Sequence, residues 1–468
     1  MPSRRVAVIG AGAAGLMAAR ELQREGHTPV VFERDTAVGG NWRYEDPKAS
    51  AEDDPLGTRC VHSSLYASLR TNVPRECMGF LDFPFVPAEG SGGDPRRFPG
   101  HEEVLRYLEA FARRFNLYEL VRLDTEVVGV RKNDASTGWK VSYCSRKLAG
   151  AGNEEREEEE EVFDAVAVCS GHSTEPRVAD IAGIDSWPGK QMHSHNYRVP
   201  DPFHGQVVVV VGYAPSGVDI SRDIVGVAKE VHVARRSPPP TSSEMESTAL
   251  PNLWLHPIIE RAEEDGSVVF QDGNRVKADV ILHCTGKPPL CAHARNLRCV
   301  DGYACRYKYN FPFLSDDVGI FVDDNRVGPL YKHVFPPLLA PHISFIGLFL
   351  KALFFPLFQL QSNWVAGVLS GRIDLPSPEE MMEDVAAFYS ELEARGCPKR
   401  YTHNLGACTY EYEDWVAKKC GHKGFEGWRK EMFVAALKNF AHRPENYRNE
   451  WDDGHLLPQA HRDSAKYF

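Results

Sequence analysis

Six residues near the start of the chain, Gly10-Ala11-Gly12-Ala13-Ala14-Gly15, have the spacing of a turn that seats a pyrophosphate. The apolar run Val6-Ala7-Val8-Ile9 precedes them, and the stretch Ala13–Arg24 reads as the helix that follows. Gly10 permits the tight turn, Gly12 lets backbone amides approach the phosphates, and Gly15 lets helix and strand pack closely. The free amides of Ala13, Ala14 and Gly15 and the partial positive charge of the helix N-terminus complete an anion site. Glu33 ends the next expected strand, Pro29–Glu33, where a carboxylate can accept hydrogen bonds from ribose hydroxyls. With strand, turn, helix and acid in register, the chemistry is dinucleotide binding. Gly39-Gly40-Asn41-Trp42 follows closely. A glycine pair there either lets backbone pass near a second phosphate or forms an ordinary loop.

A second turn, Gly212-Tyr213-Ala214-Pro215-Ser216-Gly217, lies about 200 residues on, behind the strand-like run Gln206–Val211. Ala214 takes the place of the middle glycine, so backbone approach is less free. After the strand Glu230–Ala234 the chain offers Arg235-Arg236 instead of an acid. A carboxylate would repel a 2′-phosphate, whereas a guanidinium binds one through paired charge-assisted hydrogen bonds. The second site is therefore expected to prefer NADPH to NADH, unless the arginines only solvate a strand end. Two dinucleotide sites of different polarity imply an electron relay, with NADPH at the second turn reducing a flavin at the first. FAD is the flavin that suits a dinucleotide fold with a ribose-binding acid. The eleven cysteines include no Cys-x-x-Cys pair, so a disulfide acceptor is disfavoured and dioxygen remains.

The elements that must position these residues are of the α/β class. At 468 residues and 43% hydrophobic, the chain has mass for two or three packed domains. A net charge of -11 disfavours general nucleic-acid or anionic-membrane binding. The run Ile343–Leu360 carries Lys351 and Pro356, so a buried strand-turn-helix is expected rather than a transmembrane span. The odd cysteine count, with no secretory leader before Val6, suits a reducing compartment and a cytoplasmic protein. Helix is expected over Glu102–Phe115 and from Gln359 onward, with hairpin strands at Thr125–Arg131 and Trp139–Tyr143. The acidic run Glu157–Glu161 reads as solvated loop, because like charges repel.

These stretches together resemble the flavin-containing monooxygenases. The segment Val6–Trp42 is similar to that family's FAD fingerprint, and Trp187-Pro188-Gly189 through His193 to Tyr197 to its identifying motif, with Trp187 for the usual Phe. Arg70-Thr71-Asn72-Val73-Pro74 resembles the segment carrying the family's active-site asparagine. Gln361-Ser362-Asn363-Trp364 resembles the helix start beside the flavin. The likeness spans nearly the whole chain and is strongest to the plant branch that oxygenates sulfur in small thioethers. It implies two Rossmann-like domains, the NADPH domain (176–329) inserted into a split FAD domain (1–175 and 330–468). It implies that NADPH reduces FAD, that dioxygen forms a flavin hydroperoxide, and that a thioether becomes a sulfoxide. N-oxygenation of an amine and Baeyer–Villiger oxidation are alternatives on the same intermediate. Asn72 is the implied catalytic residue, with Gly40, Trp42, Val127 and Gln361 as further FAD contacts. Gly212, Ser216, Gly217, Arg235 and Arg236 are the implied NADPH contacts. His193 and His195 lack further ligands and are expected to pack or hydrogen-bond, with no metal. Two features depart from the family. Lys287–Arg306 looks inserted, as a surface loop, a damaging insertion that leaves a silent nucleotide-binding protein, or a lid. Gln359 stands where relatives often carry Glu.

Overall fold

The apolar run at the start forms the strand Arg5–Ile9, the centre of a five-stranded parallel sheet. The order across the sheet is Ile343–Phe345, Ala165–Val168, Arg5–Ile9, Thr28–Phe32, Val121–Arg122. The computed structural model describes residues 3–46, 54–56, 63–87, 92–133, 138–147, 155–171, 175–176, 178–235, 246–247, 250–284 and 307–467. Alternation along the central strand sends side chains into two different layers. Val6 and Val8 join Leu16, Met17 and Trp364 on the side of the helices Ala13–Arg24 and Phe354–Leu369. Ala7 and Ile9 join Trp139, Val141 and Phe163 of an antiparallel three-stranded sheet on the other face. Buried on both sides from Val6 to Ile9, the strand is apolar over that stretch.

The second sheet repeats this plan. Its six strands run Glu246–Ser247, Leu253–His256, Glu230–Ala234, Val207–Val211, Val280–His283, Lys190–His193, parallel except for the first pair. Val208 and Val210 meet Ile220 and Ile224 of the helix Pro215–Ile224. Val207 and Val209 meet Val268 and Phe270 of a second antiparallel three-stranded sheet. The second sheet takes all its strands from between residues 190 and 283, while the first takes strands from before and after that stretch. The fold is thus two Rossmann-like units, one inserted into the other.

Two expectations are corrected. The acidic run is no loop: Glu155–Phe163 is a strand paired along its length with Trp139–Lys147. Opposite charges across the sheet remove the repulsion that argued for a loop. Glu160 meets Arg131 and Lys140, and Glu161 meets Arg122, Arg5 and the Tyr143 hydroxyl. The late helix begins at Phe354, five residues before Gln359. Pro356 falls in its first turn, where the missing N–H has no intrahelical partner to lose, so it does not delay the helix. The strand-turn-helix expected over Ile343–Leu360 is present. Among the described residues no helix is long and apolar enough to cross a membrane. Arg236 and the stretch 287–306 lie outside the described residues.

Candidate active site: two glycine turns and a C-terminal strap

At the first turn Gly10 has φ +101° and donates its N–H to Phe32 O at 2.8 Å, a conformation that side chains rarely adopt. A Cβ at Gly15 would lie 1.8 Å from the Gly10 carbonyl oxygen, so only glycine lets the helix begin this close to the strand. No side chain caps the helix at Gly12. Its first-turn amides, those of Ala13, Ala14 and Gly15, therefore have no intrahelical acceptor and face outward as donors. By contrast, the surface helix Pro378–Ala394 is closed by a Ser377/Glu380 capping box. The glycine pair comes in from the side: a Cβ at Gly40 would sit 2.9 Å from Gly12 Cα, so two backbones touch here with no side chain between them. Trp42 sets its ring edge-on to Phe355, 6.4 Å between centroids.

Glu33 is 6% exposed and lies at the end of the second strand, as the spacing requires. Its carboxylate accepts from Ala11 N at 2.7 Å and from Asp35 N at 3.0 Å. Burial raises its pKa, and those two amides oppose the rise. Each oxygen keeps a lone pair for a ribose hydroxyl. The structure therefore brings together Gly10, Gly12, Ala13, Ala14, Gly15, Glu33 and Gly40. Val127 lies behind them, in the buried cluster with Ile9 and Phe32. Gln361 is different. It is wholly buried in the helix interior, where its Oε1 accepts from Gly347 N and its Nε2 donates to Tyr412 OH. Gln359 donates to Asp82 Oδ1 at 2.9 Å and accepts from Leu81 N. A glutamate there would set a second carboxylate against Asp82, which gives a physical reason for the amide in this chain.

The second turn repeats the geometry of the first. Gly212 has φ +111° and donates to Ala234 O, and a Cβ at Gly217 would lie 2.0 Å from Gly212 O. Ala214 leaves this helix uncapped too, with Pro215 in its first turn and Ser216 half-buried beside it. Arg235 is half-buried just past the strand end and donates its N–H to His256 O. Tyr213 is not bare: its hydroxyl reaches Glu445 Oε1 at 3.4 Å, and burial first, then Glu445, push its pKa up to about 12.

Asn72 is exposed, on the loop before the short helix Arg75–Met78. Its Oδ1 accepts from Tyr447 OH at 3.1 Å and from Arg448 Nη2 at 2.8 Å. Arg448 also grips Asp219, on the helix behind the second turn, with two bonds of 2.7 Å. Glu445, Tyr447 and Arg448 thus strap the Asn72 loop to the second sheet. Phe98, Val218, Phe440 and Tyr447 share one small apolar cluster beneath the strap. Sequence reading missed this strap. Asp219 and Arg448 are 229 positions apart, and neither belongs to a recognisable motif.

The identifying motif is knitted into the protein by hydrogen bonds. His193 accepts from His195 N, His195 bonds Ser64, and Asn196 donates to the Asp54 and Pro55 carbonyls. Among the described residues no group of three or more His, Cys, Asp or Glu gathers to hold a metal. The buried thiols of Cys77 and Cys169 are pushed well up by desolvation, so neither is a ready nucleophile.

Comparison with known proteins agrees with this geometry. The family described as flavin-binding monooxygenase-like matches residues 3–251 and 294–423. The chain is 53% identical to flavin-containing monooxygenase FMO GS-OX-like 2 of Arabidopsis thaliana, covering 100% of this chain and 95% of the relative. It is also 53% identical to the solved S-allyl-L-cysteine S-oxygenase of Allium sativum, with a TM-score of 0.89 and 99% of each chain covered. A cyclohexanone monooxygenase at 16% identity and a TM-score of 0.56 shares the fold. With two open glycine turns, a carboxylate behind one of them, and identity sustained from end to end, the chain belongs to the flavin-containing monooxygenases.

Proposed function

We propose that this protein is an NADPH- and dioxygen-dependent S-oxygenase of small thioethers, with FAD at the first turn and NADPH at the second. The observation that carries the reading is the pairing of two uncapped helix ends in one chain, one backed by the buried Glu33 and the other by Arg235. The first turn fits FAD because its cradle is bare backbone: Gly12 and Gly40 face each other, and a Cβ on Gly40 would intrude on Gly12. When bound, FAD would relay two electrons from NADPH to dioxygen and so activate the oxygen atom, drawn from dioxygen, that is transferred.

The balance is fixed by chemistry. NADPH gives two electrons, one oxygen atom goes to sulfur, and the other leaves as water. The protein's own residues bind, orient and shield. Ala13, Ala14 and Gly15 would hold the flavin pyrophosphate, and Glu33 the ribose. Gly212, Ser216 and Gly217 would hold the second pyrophosphate. Arg235, with Arg236, would select the 2′-phosphate. Asn72 would donate from its amide nitrogen toward the reacting oxygen or the substrate. Gln361 and Val127 would act from behind, as supports of the flavin seat. The sheet memberships support an NADPH domain, proposed as 176–329, inserted into an FAD domain of 1–175 and 330–468, although Tyr309, Phe311, Phe313, Val318 and Val327 pack in the cluster of the first sheet with Ile9 and Val130. The likeness to an S-allyl-L-cysteine S-oxygenase favours S-alkyl cysteines over amines or ketones. The test is an aerobic product screen with S-alkyl cysteines, methylthioalkyl compounds, amines and ketones. Sulfoxide formed one-for-one with NADPH is expected. N-oxide or ester as main product, or NADPH consumed with no oxygenated product, would overturn the reading.

A further inference from the structure

The orientation of the Asn72 amide is set from outside its own loop. Its Oδ1 faces two donors, the Tyr447 hydroxyl and the Arg448 guanidinium, at 3.1 and 2.8 Å. Flipping the amide would turn its NH2 onto the Arg448 guanidinium, which has no acceptor, and would leave that donor without its oxygen. The nitrogen is therefore held outward, and among the described residues Asn72 Nδ2 makes no hydrogen bond. Arg448 also holds the loop backbone: Nε donates to Thr71 O at 2.8 Å. Its fork is fixed in turn by the two-pronged pair with Asp219, whose Oδ2 also accepts from Tyr66 OH at 2.9 Å. The two side chains are only 12% and 15% exposed, so water competes little for these bonds. Burial opposes the Arg448 charge, but the hydrogen bonds and field of Asp219 outweigh it and raise its pKa. Asp219 is the fifth residue of the helix Pro215–Ile224, whose open N-terminus is the second turn.

We propose that Arg448 and Asp219 are a positioning pair that locks the Asn72 amide nitrogen outward and makes this lock depend on the docking of the second sheet. The role of the lock in oxygen transfer rests on the S-oxygenase reading, whereas the lock itself does not. Neither residue touches the reacting atoms; both act through Asn72. Without the lock the amide samples both flip states and the loop loosens. The reduced enzyme then gives its two electrons to dioxygen as hydrogen peroxide, with no oxygen reaching sulfur.

Arg448→Lys keeps the charge and loses the planar fork, and Asp219→Asn keeps the shape and loses the charge. Two readouts test them. The first is hydrogen–deuterium exchange of residues 66–73 in the purified protein, with and without FAD. The second is the share of NADPH electrons appearing as hydrogen peroxide, measured beside the anaerobic reduction rate. Both variants are expected to exchange this segment about tenfold faster and to raise the peroxide-to-sulfoxide ratio about tenfold, the factor for one charge-assisted hydrogen bond, with reduction little changed. In an Asn72→Ala background, Arg448→Lys should add nothing to the peroxide ratio. Unchanged exchange in both variants, or an undiminished Arg448→Lys effect on top of Asn72→Ala, overturns the proposal. If Asn72→Ala itself leaves the peroxide ratio unchanged, the reading of Asn72 falls and takes the catalytic half of the proposal with it. The exchange data decide the structural half separately.

Discussion

At the first turn the backbone of Gly12 is met by the backbone of Gly40, while at the second Tyr213 stands in the turn itself and meets Glu445 of the C-terminal strap. The two share the same steric core, a positive-φ glycine and a second glycine whose Cβ would fall on the carbonyl of the first. They differ in what surrounds that core. The first seat is closed by main chain and backed by the buried Glu33, so nothing short of a loop movement opens it. The second is flanked by side chains, Tyr213 and Arg235, that can move by rotating bonds. The difference suits a cofactor that stays at the first turn and one that comes and goes at the second. On the proposed reading the shared geometry would seat a dinucleotide at each turn, and the flanking groups would decide which one.

The sharpest way to break the comparison is to add one methyl group to each turn. Gly15→Ala should yield colourless protein, destabilised by about 3 kcal/mol through overpacking, as read by flavin absorbance and a melting curve. Gly217→Ala should stay yellow and fail to bleach with NADPH. If both lose flavin alike, the two sites are not separable. Asn72→Ala divides reduction from oxygen transfer. Bleaching by NADPH should persist while sulfoxide formation falls about 10²-fold, the scale for removing one well-placed donor. Arg235→Ala sharpens the contrast in polarity. KM for NADPH should rise about tenfold or more with NADH little affected, as expected for one lost charged contact; an equal loss with both would deny it a phosphate role.

The smallest effect lies in the antiparallel layer behind the first sheet. Hydrogen bonds from Arg122 above all, then Tyr143 and Arg5, hold Glu161 down at about 2 against the penalty of burial. That value lies below the usual carboxylate range, so this stabilisation is complete above about pH 4.3 and is lost as pH falls toward 2. Glu161→Gln should cost about 0.5 kcal/mol at neutral pH, since the group is partly solvated, and should flatten the acid limb of the stability curve.

Local features were legible in the sequence. The strand-turn-helix runs at Val6–Arg24 and Gln206–Ala228 announced themselves because their glycines answer to short-range sterics. Glu33 and Arg235 were legible because each sits where its strand ends. What escaped depended on distant partners. Glu155–Phe163 reads as repelling charge until Lys140, Arg122 and Arg131 are set across from it. The bonds of the Gln361 amide to Gly347 and Tyr412 also join residues that no local pattern connects. Asp219 and Arg448 have no local signature because their meaning lies in a contact between two units.

The most direct measurement is an anaerobic titration of the purified yellow protein with NADPH, followed by flavin absorbance. Bleaching complete at one equivalent of NADPH per flavin, with NADH far less effective, is the predicted result. Protein that carries no flavin, or flavin that NADPH does not bleach, would contradict an electron relay between the two turns.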